Sequence, residues 1–493
     1  MKRILGAFLL LLPSFTWGQV PSLIQSHSTG RENTPGTQNG YTNPQLKIAL
    51  PNPSLGGNCL ILGVSANSNF LTISTPTDNQ GNVWHVGPSI TANGLTTSSF
   101  YALNIAGGTS LITVSFTGTV PSGNASKLSD SVQEFSNCQI SGTIGPTGIV
   151  SSASPVNVTL SAAPALGDLV WVFGEDSSSS APSAADCSNS GPALTSITKG
   201  TNYALATANR YQGKLTEYST TTTSTTAGFV TTGADTFNAV ALTLHAASAG
   251  TSASGVRIVH EQGEWFHTGS HTIQFPSSGT MLLGAWLSPD VNFSSISSSP
   301  GSTWNTGDIS PVCCSQIFYT LTPSVSADMT ITPNYSGTSQ GCNFLQMYDV
   351  AGGNFLHDAV DLRSGKQTSN SDLTSGVIKP SMVDEFIINI TGLSFHSMLG
   401  LVTDSNGHTP TPDFTANTKN DDANGGVPSQ LNDDDGRAHI ISTDTLPITF
   451  IYNYLALGSP AGVQGWNSVT SSFKLSSVAL PAPPSNLRVI NTE

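Results

Sequence analysis

An internal repeat constrains this chain more than any other feature of its sequence. Trp84 is followed by Phe100-Tyr101-Ala102-Leu103, and Trp304 is followed at nearly the same distance by Phe318-Tyr319-Thr320-Leu321. Later landmarks recur in the same order: Gln133-Glu134-Phe135 and Gln346-Met347-Tyr348, then Phe237-Asn238-Ala239-Val240 and Trp466-Asn467-Ser468-Val469. These four landmarks in one order indicate duplication, so we predict two modules of about 200 residues each.

Short strands separated by turns are the predicted content of each module. Ile112, Val114 and Phe116 alternate with threonine and serine, the period-2 pattern of a half-buried strand. Only 9% of the residues are charged, whereas surface helices normally expose many Lys, Glu and Arg side chains. We therefore predict an all-β fold of two tandem antiparallel β-sandwich domains, of the jelly-roll or immunoglobulin-like type.

Composition sets the expected boundaries along the chain. Lys2 and Arg3 precede the apolar run Ile4 to Leu12, which is typical of a secretory signal peptide. No later run approaches the length of a transmembrane helix, so we expect a secreted protein with no transmembrane segment after signal removal. The predicted divisions are a signal peptide (1–18), a flexible lead-in (19–45), module 1 (46–248), a linker (249–255), module 2 (256–477) and a Pro-rich tail (478–493).

The charge balance argues against one class of partner. The chain carries 16 Lys and Arg against 30 Asp and Glu, a formal net charge of −14. Nucleic-acid binding requires clustered Lys and Arg side chains, so we expect no nucleic-acid partner.

The six cysteines leave several disulfide pairings open. Each module holds three of them, so each can close at most one internal bridge. In module 2 we favour Cys342 paired with Cys313 or Cys314.

The repeat resembles a known type of sequence. Thr77-Asp78-Asn79-Gln80-Gly81-Asn82-Val83-Trp84, the Phe-Tyr-Ala-Leu segment followed by Ala-Gly-Gly, and a later Gly-Asp-Leu-Val are similar to a bacterial secreted tandem β-sandwich repeat of unassigned function. That resemblance implies the fold and export, and it implies no catalytic residues. The Pro-rich tail resembles the linker and first strand of a fibronectin type III domain.

Acidic loops in module 2 are the candidate metal site. Asp421, Asp422, Asp433, Asp434 and Asp435 lie among Asn and Gly residues, and such loops supply the oxygen ligands that calcium prefers. Their spacing does not match an EF-hand, and a solvated loop is the alternative. Calcium is thus the only cofactor that we expect, and Asp404-Ser405-Asn406-Gly407 could add ligands or be a simple turn.

Other polar groups have simpler structural explanations. On a helix, His260, Glu264, His267 and His271 would share one face like metal ligands, but Gly263 and the flanking apolar residues favour two strands and a turn. Asp78 to Asn82 is typical of a turn, with a calcium loop as the alternative. Asp168 and Asp384 precede strand-like segments, where we expect them to cap turns.

No pattern indicates a particular reaction. The carboxylates beside strands in module 1 are Glu134, Glu175, Asp176 and Glu217. A G-x-S-x-G motif, a phosphate loop and a dinucleotide fingerprint are absent from the sequence. We expect a secreted noncatalytic binding or structural protein that contacts a glycan or cell-surface component. The alternative is a polysaccharide hydrolase or lyase with its site in one copy, which would hold two carboxylates across a groove.

Overall fold

A computed structural model describes 19–32, 41–121, 128–138, 147–151, 156–176, 197–199, 206–211, 214–231, 236–246, 251, 253–266, 272–287, 292–310, 315–336, 343–367, 372–393, 396–413, 416–419, 430–431, 435–456 and 464–476. Every regular element within these ranges is a β-strand. All pairings but one are antiparallel in this described part of the chain, so the predicted all-β sandwich class is confirmed.

The strands form four sandwiches in chain order. The first contains β1 (Ser22–Glu32), β2 (Tyr41–Thr42), β3 (Gln45–Ala49), β4 (Cys59–Asn67), β5 (Leu71–Ile73), β6 (Thr77–Asp78), β7 (Trp84–Ala92), β8 (Leu95–Ala102), β9 (Leu111–Val120) and β10 (Leu128–Ser136). The second contains β11 (Thr147–Ser151), β12 (Val156–Thr159), β13 (Leu169–Asp176), β14 (Ile197–Lys199), β15 (Ala206–Tyr211), β16 (Lys214–Ser219), β17 (Thr226–Thr231) and β18 (Phe237–Leu244).

The second half continues in the same way. The third sandwich contains β19 (Arg257–Phe266), β20 (Ile273–Ser277), β21 (Met281–Leu287), β22 (Asn292–Ser299), β23 (Asn305–Ile309), β24 (Ser315–Thr320), β25 (Ser326–Ser336) and β26 (Asn343–Ala351). The fourth contains β27 (Phe355–Gln367), β28 (Leu373–Ile378), β29 (Phe386–Leu393), β30 (His396–Val402), β31 (Thr411–Pro412), β34 (Asp435–Ile441), β35 (Ile448–Ala456) and β36 (Gln464–Leu475). Between β31 and β34 the chain forms β32 (Ala416–Lys419) and β33 (Gln430–Leu431), which pair onto β3 and extend a sheet of the first sandwich.

All four sandwiches share one strand order. We label eight positions a to h along the chain: β1, β3, β4, β5, β7, β8, β9 and β10 in the first sandwich, β11 to β18 in the second, β19 to β26 in the third, and β27 to β31 with β34 to β36 in the fourth. In each, one sheet has the order a-h-c-f-e and the facing sheet the order b-g-d. Eight strands in two facing sheets are the architecture of a jelly roll, here with strand e in the larger sheet.

The repeated sequence landmarks occupy equivalent strands. The Phe-Tyr pairs lie at position f of the first and third sandwiches, on β8 and β24, and the Gln-centred triplets at position h, on β10 and β26. Phe237 and Trp466 lie at position h of the second and fourth sandwiches. Each predicted module therefore covers a pair of sandwiches, and the third sandwich corresponds to the first as the fourth does to the second.

The structure differs from the expected lead-in at residues 22–32, which form β1. This strand pairs with β10 on one side and with β19 on the other, and Ser26, His27 and Ser28 are fully or almost fully buried. Polar composition suggested flexibility, but main-chain hydrogen bonds to two neighbouring strands hold a polar strand as well as an apolar one. The predicted signal peptide (1–18) and Pro-rich tail (478–493) lie outside the described residues.

Two larger sheets join through strands at position a. β1 and β19 pair in parallel from Ser26↔His260 to Ser28↔Gln262, which makes one sheet of ten strands. The second sandwich packs on the first through Ile61, Phe135, Trp171, Phe173 and other apolar residues. The fourth packs on the third through Tyr348, Phe386, Phe473 and their neighbours.

Close packing at the first of these contacts requires a glycine. A Cβ on Gly63 of β4 would lie 2.5 Å from the ring of Phe173 on β13, which is closer than carbon atoms approach without displacement. The contact also contains the Cys59–Cys138 disulfide, the bridge that the three first-module cysteines allowed. Cys187, Cys313, Cys314 and Cys342 lie outside the described residues, so the favoured bridge in module 2 stays a prediction.

Candidate functional site: a buried acid and imidazole cluster

Acidic and imidazole side chains meet where the first, third and fourth sandwiches come together. We call this group the junction cluster; its members are His27, Glu261, Tyr348, Asp413, Arg437 and His439. Register places the first three: His27 of β1 pairs with Glu261 of β19, and Glu261 pairs with Tyr348 of β26. Directly paired residues project to the same face of a sheet, so these side chains face the fourth sandwich together.

The fourth sandwich supplies the other half of the cluster. Asp413 follows β31, and His439 lies on the adjacent β34, paired with Thr411. The backbone N–H of Asp413 donates to the carbonyl of Arg437 at 3.0 Å, which fixes the carboxylate beside the imidazole. β31 and β34 thus place Asp413 and His439 side by side against the ten-stranded sheet.

Each carboxylate of the cluster has hydrogen-bond partners on two sides. Glu261 Oε2 lies 3.1 Å from His27 Nδ1, and Glu261 Oε1 accepts a hydrogen bond from Gln346 Nε2 at 2.7 Å. Asp413 Oδ2 accepts from the Tyr348 hydroxyl at 2.9 Å, and Asp413 Oδ1 contacts His439 Nδ1. These contacts link the three sandwiches through charged or polar side chains.

Burial and neighbouring charges shift the titration of the cluster. Burial raises the pKa of Glu261, although the adjacent His27 favours the charged form. For His439, burial alone would lower the pKa, but the Asp413 carboxylate outweighs it and the pKa lies above its usual value. Burial and the same carboxylate raise the pKa of Tyr348 well above its usual value. Asp413 and His439 also act electrostatically on Glu261, so the two halves form one electrostatic unit.

The cluster is sealed from solvent. Glu261 and Asp413 are each 1% exposed, and His27 and Tyr348 are 0% exposed. Both carboxylates are engaged by partners within the protein, Glu261 by His27 and Gln346 and Asp413 by Tyr348 and His439. The arrangement is chemically suited to holding three sandwiches in register.

A second buried network lies beside the junction cluster and secures the first sandwich. Glu134 of β10 accepts hydrogen bonds from Gln25 Nε2 at 2.6 Å, Asn58 Nδ2 at 2.7 Å and the Leu55 backbone at 2.9 Å. Burial raises the pKa of Glu134, and these donors partly offset the effect. Asn52 extends the network to the third sandwich, since its amide exchanges hydrogen bonds with the backbone of Ile258.

The predicted calcium loops fall mostly outside the description. Asp421, Asp422, Asp433 and Asp434 lie outside the described residues, and Asp435 is described only as the first residue of β34. Among the described residues, no group of three or more His, Cys, Asp or Glu side chains could hold a metal ion.

Asp404 caps a turn and also accepts a hydrogen bond from the backbone of Thr449 at 3.0 Å. Asp404 Oδ1 accepts from the backbones of Asn406 and His408, and Oδ2 lies 3.1 Å from His408 Nδ1. Of the two interpretations, the turn is therefore the one that these contacts support.

The His260 segment is a strand, as the flanking residues indicated. Residues 257–266 form β19 and 273–277 form β20. His260 points away from Glu261, and its Nδ1 lies 3.0 Å from Asp349 Oδ2. The side chains of Glu264, His267 and His271 lie outside the description.

Turn caps account for other acidic residues. Asp78 accepts hydrogen bonds from the backbones of Gln80 and Asn82 and from Trp84 Nε1, which confirms the predicted turn. Asp168 caps its turn by accepting from the backbone of Ala165. In the fourth sandwich the cap is Glu385, which accepts from Ser381 and Met382. Asp384, which we expected to cap this turn, instead adopts φ = 62°, and the capping carboxylate belongs to the next residue.

Sequence patterns found only part of the junction cluster. Glu261 lies directly after His260, and Tyr348 ends the repeated triplet Gln346-Met347-Tyr348, but no pattern indicated His27, Asp413 or His439. His27 lay in the expected lead-in, and Asp413 and His439 belong to segments with no repeated partner. One usable signal was His439 itself, a polar residue before the apolar pair Ile440-Ile441.

Aromatic rings in the described part of the chain lie in cores or at half-buried positions. None of the described Trp, Tyr or Phe side chains is classed as exposed. Trp171, Trp286, Tyr348 and Tyr452 are among the largest fully buried side chains. Among the repeated landmarks, the rings of Trp84, Phe100 and Phe237 are buried, as expected of side chains that anchor a core.

Comparisons with known proteins add no identity. No family model, no curated protein and no solved structure matches the chain. In the described ranges no helix is long and apolar enough to cross a membrane.

Proposed function

We propose that this chain is a secreted, noncatalytic protein with an architectural role, a rigid multi-sandwich body that contacts a glycan or another cell-surface component. The observation that carries the proposal is how the sandwiches are joined. A shared ten-stranded sheet, two apolar contacts and the junction cluster connect all four. Flexibly linked binding modules need none of these connections.

The use made of titratable groups also supports this proposal. Three buried carboxylates accept hydrogen bonds from neighbouring strands or sandwiches, those of Glu134, Glu261 and Asp413. Glu175, at the contact of the first two sandwiches, likewise accepts from Ser129 at 2.8 Å. A scaffold gains fixed geometry from such buried networks, because every member restricts the positions of its neighbours.

Calorimetry tests the architectural role. We expect the purified chain to unfold in one cooperative calorimetric transition. Amides of Ser26 to Ser28 and His260 to Gln262 should exchange among the slowest, because that pairing joins the two halves. Two or more well-separated transitions would contradict a single rigid body.

Ligand screening tests the partner. Glycan arrays and a calcium titration followed by thermal unfolding would separate the architectural role from a ligand-dependent one. Saturable glycan binding that leaves the polysaccharide intact supports surface contact. Turnover of any polysaccharide in the screen would overturn the noncatalytic proposal, and would favour the hydrolase or lyase that the sequence left as the alternative. Export is checked by detecting the chain in the culture medium with its amino terminus near Gln19.

A further inference from the structure

The outer edge of β27 differs from every other outer strand that the structure describes. β27 is 13 residues long and pairs, among the described strands, only with β36. The other outer strands are five residues or shorter, or carry a bulge, as do β7, β22, β28 and β30. Short length and bulges are the usual protections of a sheet edge against pairing with another chain.

A long part of β27 lacks this protection. Its bulge lies between His357 and Ala359, and from Ala359 to Gln367 the register with β36 is unbroken. Those nine residues present an edge about 30 Å long. Val360 and Leu362, each 42% exposed, project from one face of this stretch. An exposed, flat and partly apolar edge is a template for strand addition.

Strands at position a already pair between sandwiches within this molecule. β27 occupies position a of the fourth sandwich, and the position-a strands of the first and third sandwiches pair with each other. That pairing joins two five-stranded sheets into one of ten. β27 holds the same outer position in its own five-stranded sheet.

The charges on β27 are complementary to those of a second β27. Arg363 Nε donates to Asp361 Oδ1 at 3.0 Å, so the two groups flank Leu362 with opposite charges. In an antiparallel pair centred on Leu362, Asp361 lies opposite Arg363 of the partner subunit, and the reverse pair forms by symmetry. Opposite charges across strands stabilise the pair, and a two-fold axis normal to the sheet keeps Val360 and Leu362 of both copies on one face.

We propose that β27 is a homodimerisation edge, where a second copy of this chain pairs antiparallel about Leu362. The proposal does not depend on the architectural function. The sheet β27-β36-β29-β34-β31 then continues across the dimer as ten strands. Because the β27 edge of each copy is paired with that of the other, no β27 edge is left to bind a third copy, and the assembly is a closed dimer.

Opposite-charge variants at Leu362 test this pairing. In sedimentation equilibrium the wild-type chain should be a dimer. Leu362→Lys and Leu362→Glu each place like charges opposite one another, so each should weaken dimerisation at least about tenfold. An equal mixture of the two variants should recover a one-to-one heterodimer, measured by native mass spectrometry. Val360→Lys, in the same exposed strip, should also weaken the dimer.

The control is Val325→Lys, at a residue of the third sandwich that directly precedes β25 and is 77% exposed. This variant should dimerise like wild type. A wild-type monomer at about 100 µM, far above the dissociation constants of stable dimers, would overturn the proposal. Open polymers, dimers unaffected by both Leu362 variants, or a charged mixture that stays monomeric would overturn it too.

Discussion

The second sandwich meets the first, and the fourth meets the third, through equivalent five-stranded sheets, yet the two joints differ in chemistry. The first joint packs Trp171 and Phe173 on Ile61 and Phe135. Its hydrogen bonds join mostly neutral groups, with the Glu175 carboxylate accepting from Ser129 as the exception. The joint of the fourth sandwich combines an apolar patch with the charged junction cluster. The same strand order thus supports two kinds of contact between sandwiches. The strand order determines which sheets meet, and the side chains on their facing surfaces determine whether the contact is apolar or also charged.

The largest effect should come from the apolar joint. Trp171→Ala removes a fully buried ring and strands Gln133 Oε1, which accepts from the indole at 2.8 Å. We expect the free energy of unfolding to fall by about 4 kcal/mol, measured by chemical denaturation. Leu166→Ala, at an exposed position of the same sandwich, should change it by less than about 0.5 kcal/mol. Similar losses for both would show that the ring does not support the joint.

The charged joint should be nearly as sensitive to loss of one partner. Asp413→Ala leaves the Tyr348 hydroxyl and His439 buried without their acceptor. We expect a loss of about 3 kcal/mol, because a buried charge without its partner is costly. The control is Asp444→Ala, which removes a 42% exposed carboxylate beside His408. Exposed pairs contribute at most about 1 kcal/mol, so equal losses would mean that the junction cluster is not the source of the effect.

Dependence on pH should distinguish the joints. The folded pKa of His439 is raised, so its stabilisation is present below the unfolded value of about 6.5 and is lost as pH rises through the folded value. Burial raises the pKa of Glu261, so the folded state binds a proton at this carboxyl more tightly than the unfolded state does. The free energy of unfolding therefore also falls at this group as pH rises. We expect the free energy of unfolding to fall between pH 5 and pH 8 by more in wild type than in His439→Gln/Glu261→Gln. Identical slopes would refute this assignment.

The smallest effect should come from a neutral hydrogen bond at the apolar joint. The Thr216 hydroxyl donates to Ser131 Oγ at 2.7 Å, and Ser131 keeps a second donor in Gln133. Thr216→Val should therefore cost about 1 kcal/mol, with no change in pH dependence between pH 5 and pH 8. A new pH slope in this variant would show that the apolar joint also depends on charge.

Sequence patterns predicted the repeat, the strand class and several turns because these are local or periodic properties. The Phe-Tyr pairs lie on equivalent strands, and the turn at Asp78 forms as its Asx and Gly residues indicated. Patterns did not separate each module into two sandwiches. Adjacent sandwiches use different side chains at equivalent positions, so their shared strand order leaves no repeated residues to find.

Sequence patterns could not predict the junction cluster for a related reason. Its members come from strands far apart in the sequence, as in the His27 to Glu261 contact with a separation of 234. A lone histidine in a polar segment has the same appearance whether it is solvated or buried. Only the pairing of β1 with β19 decides which of the two applies.

By itself the sequence determined alternation, turn chemistry and the copied order of aromatic anchors, since each depends on residues close along the chain. Tertiary structure alone decided that a polar amino-terminal segment is a central strand, that acids and imidazoles converge under it, and that β27 keeps an open edge. Those outcomes depend on which strands become neighbours, and strand neighbours are chosen by the summed burial of whole sheets, a quantity that no short stretch of residues contains.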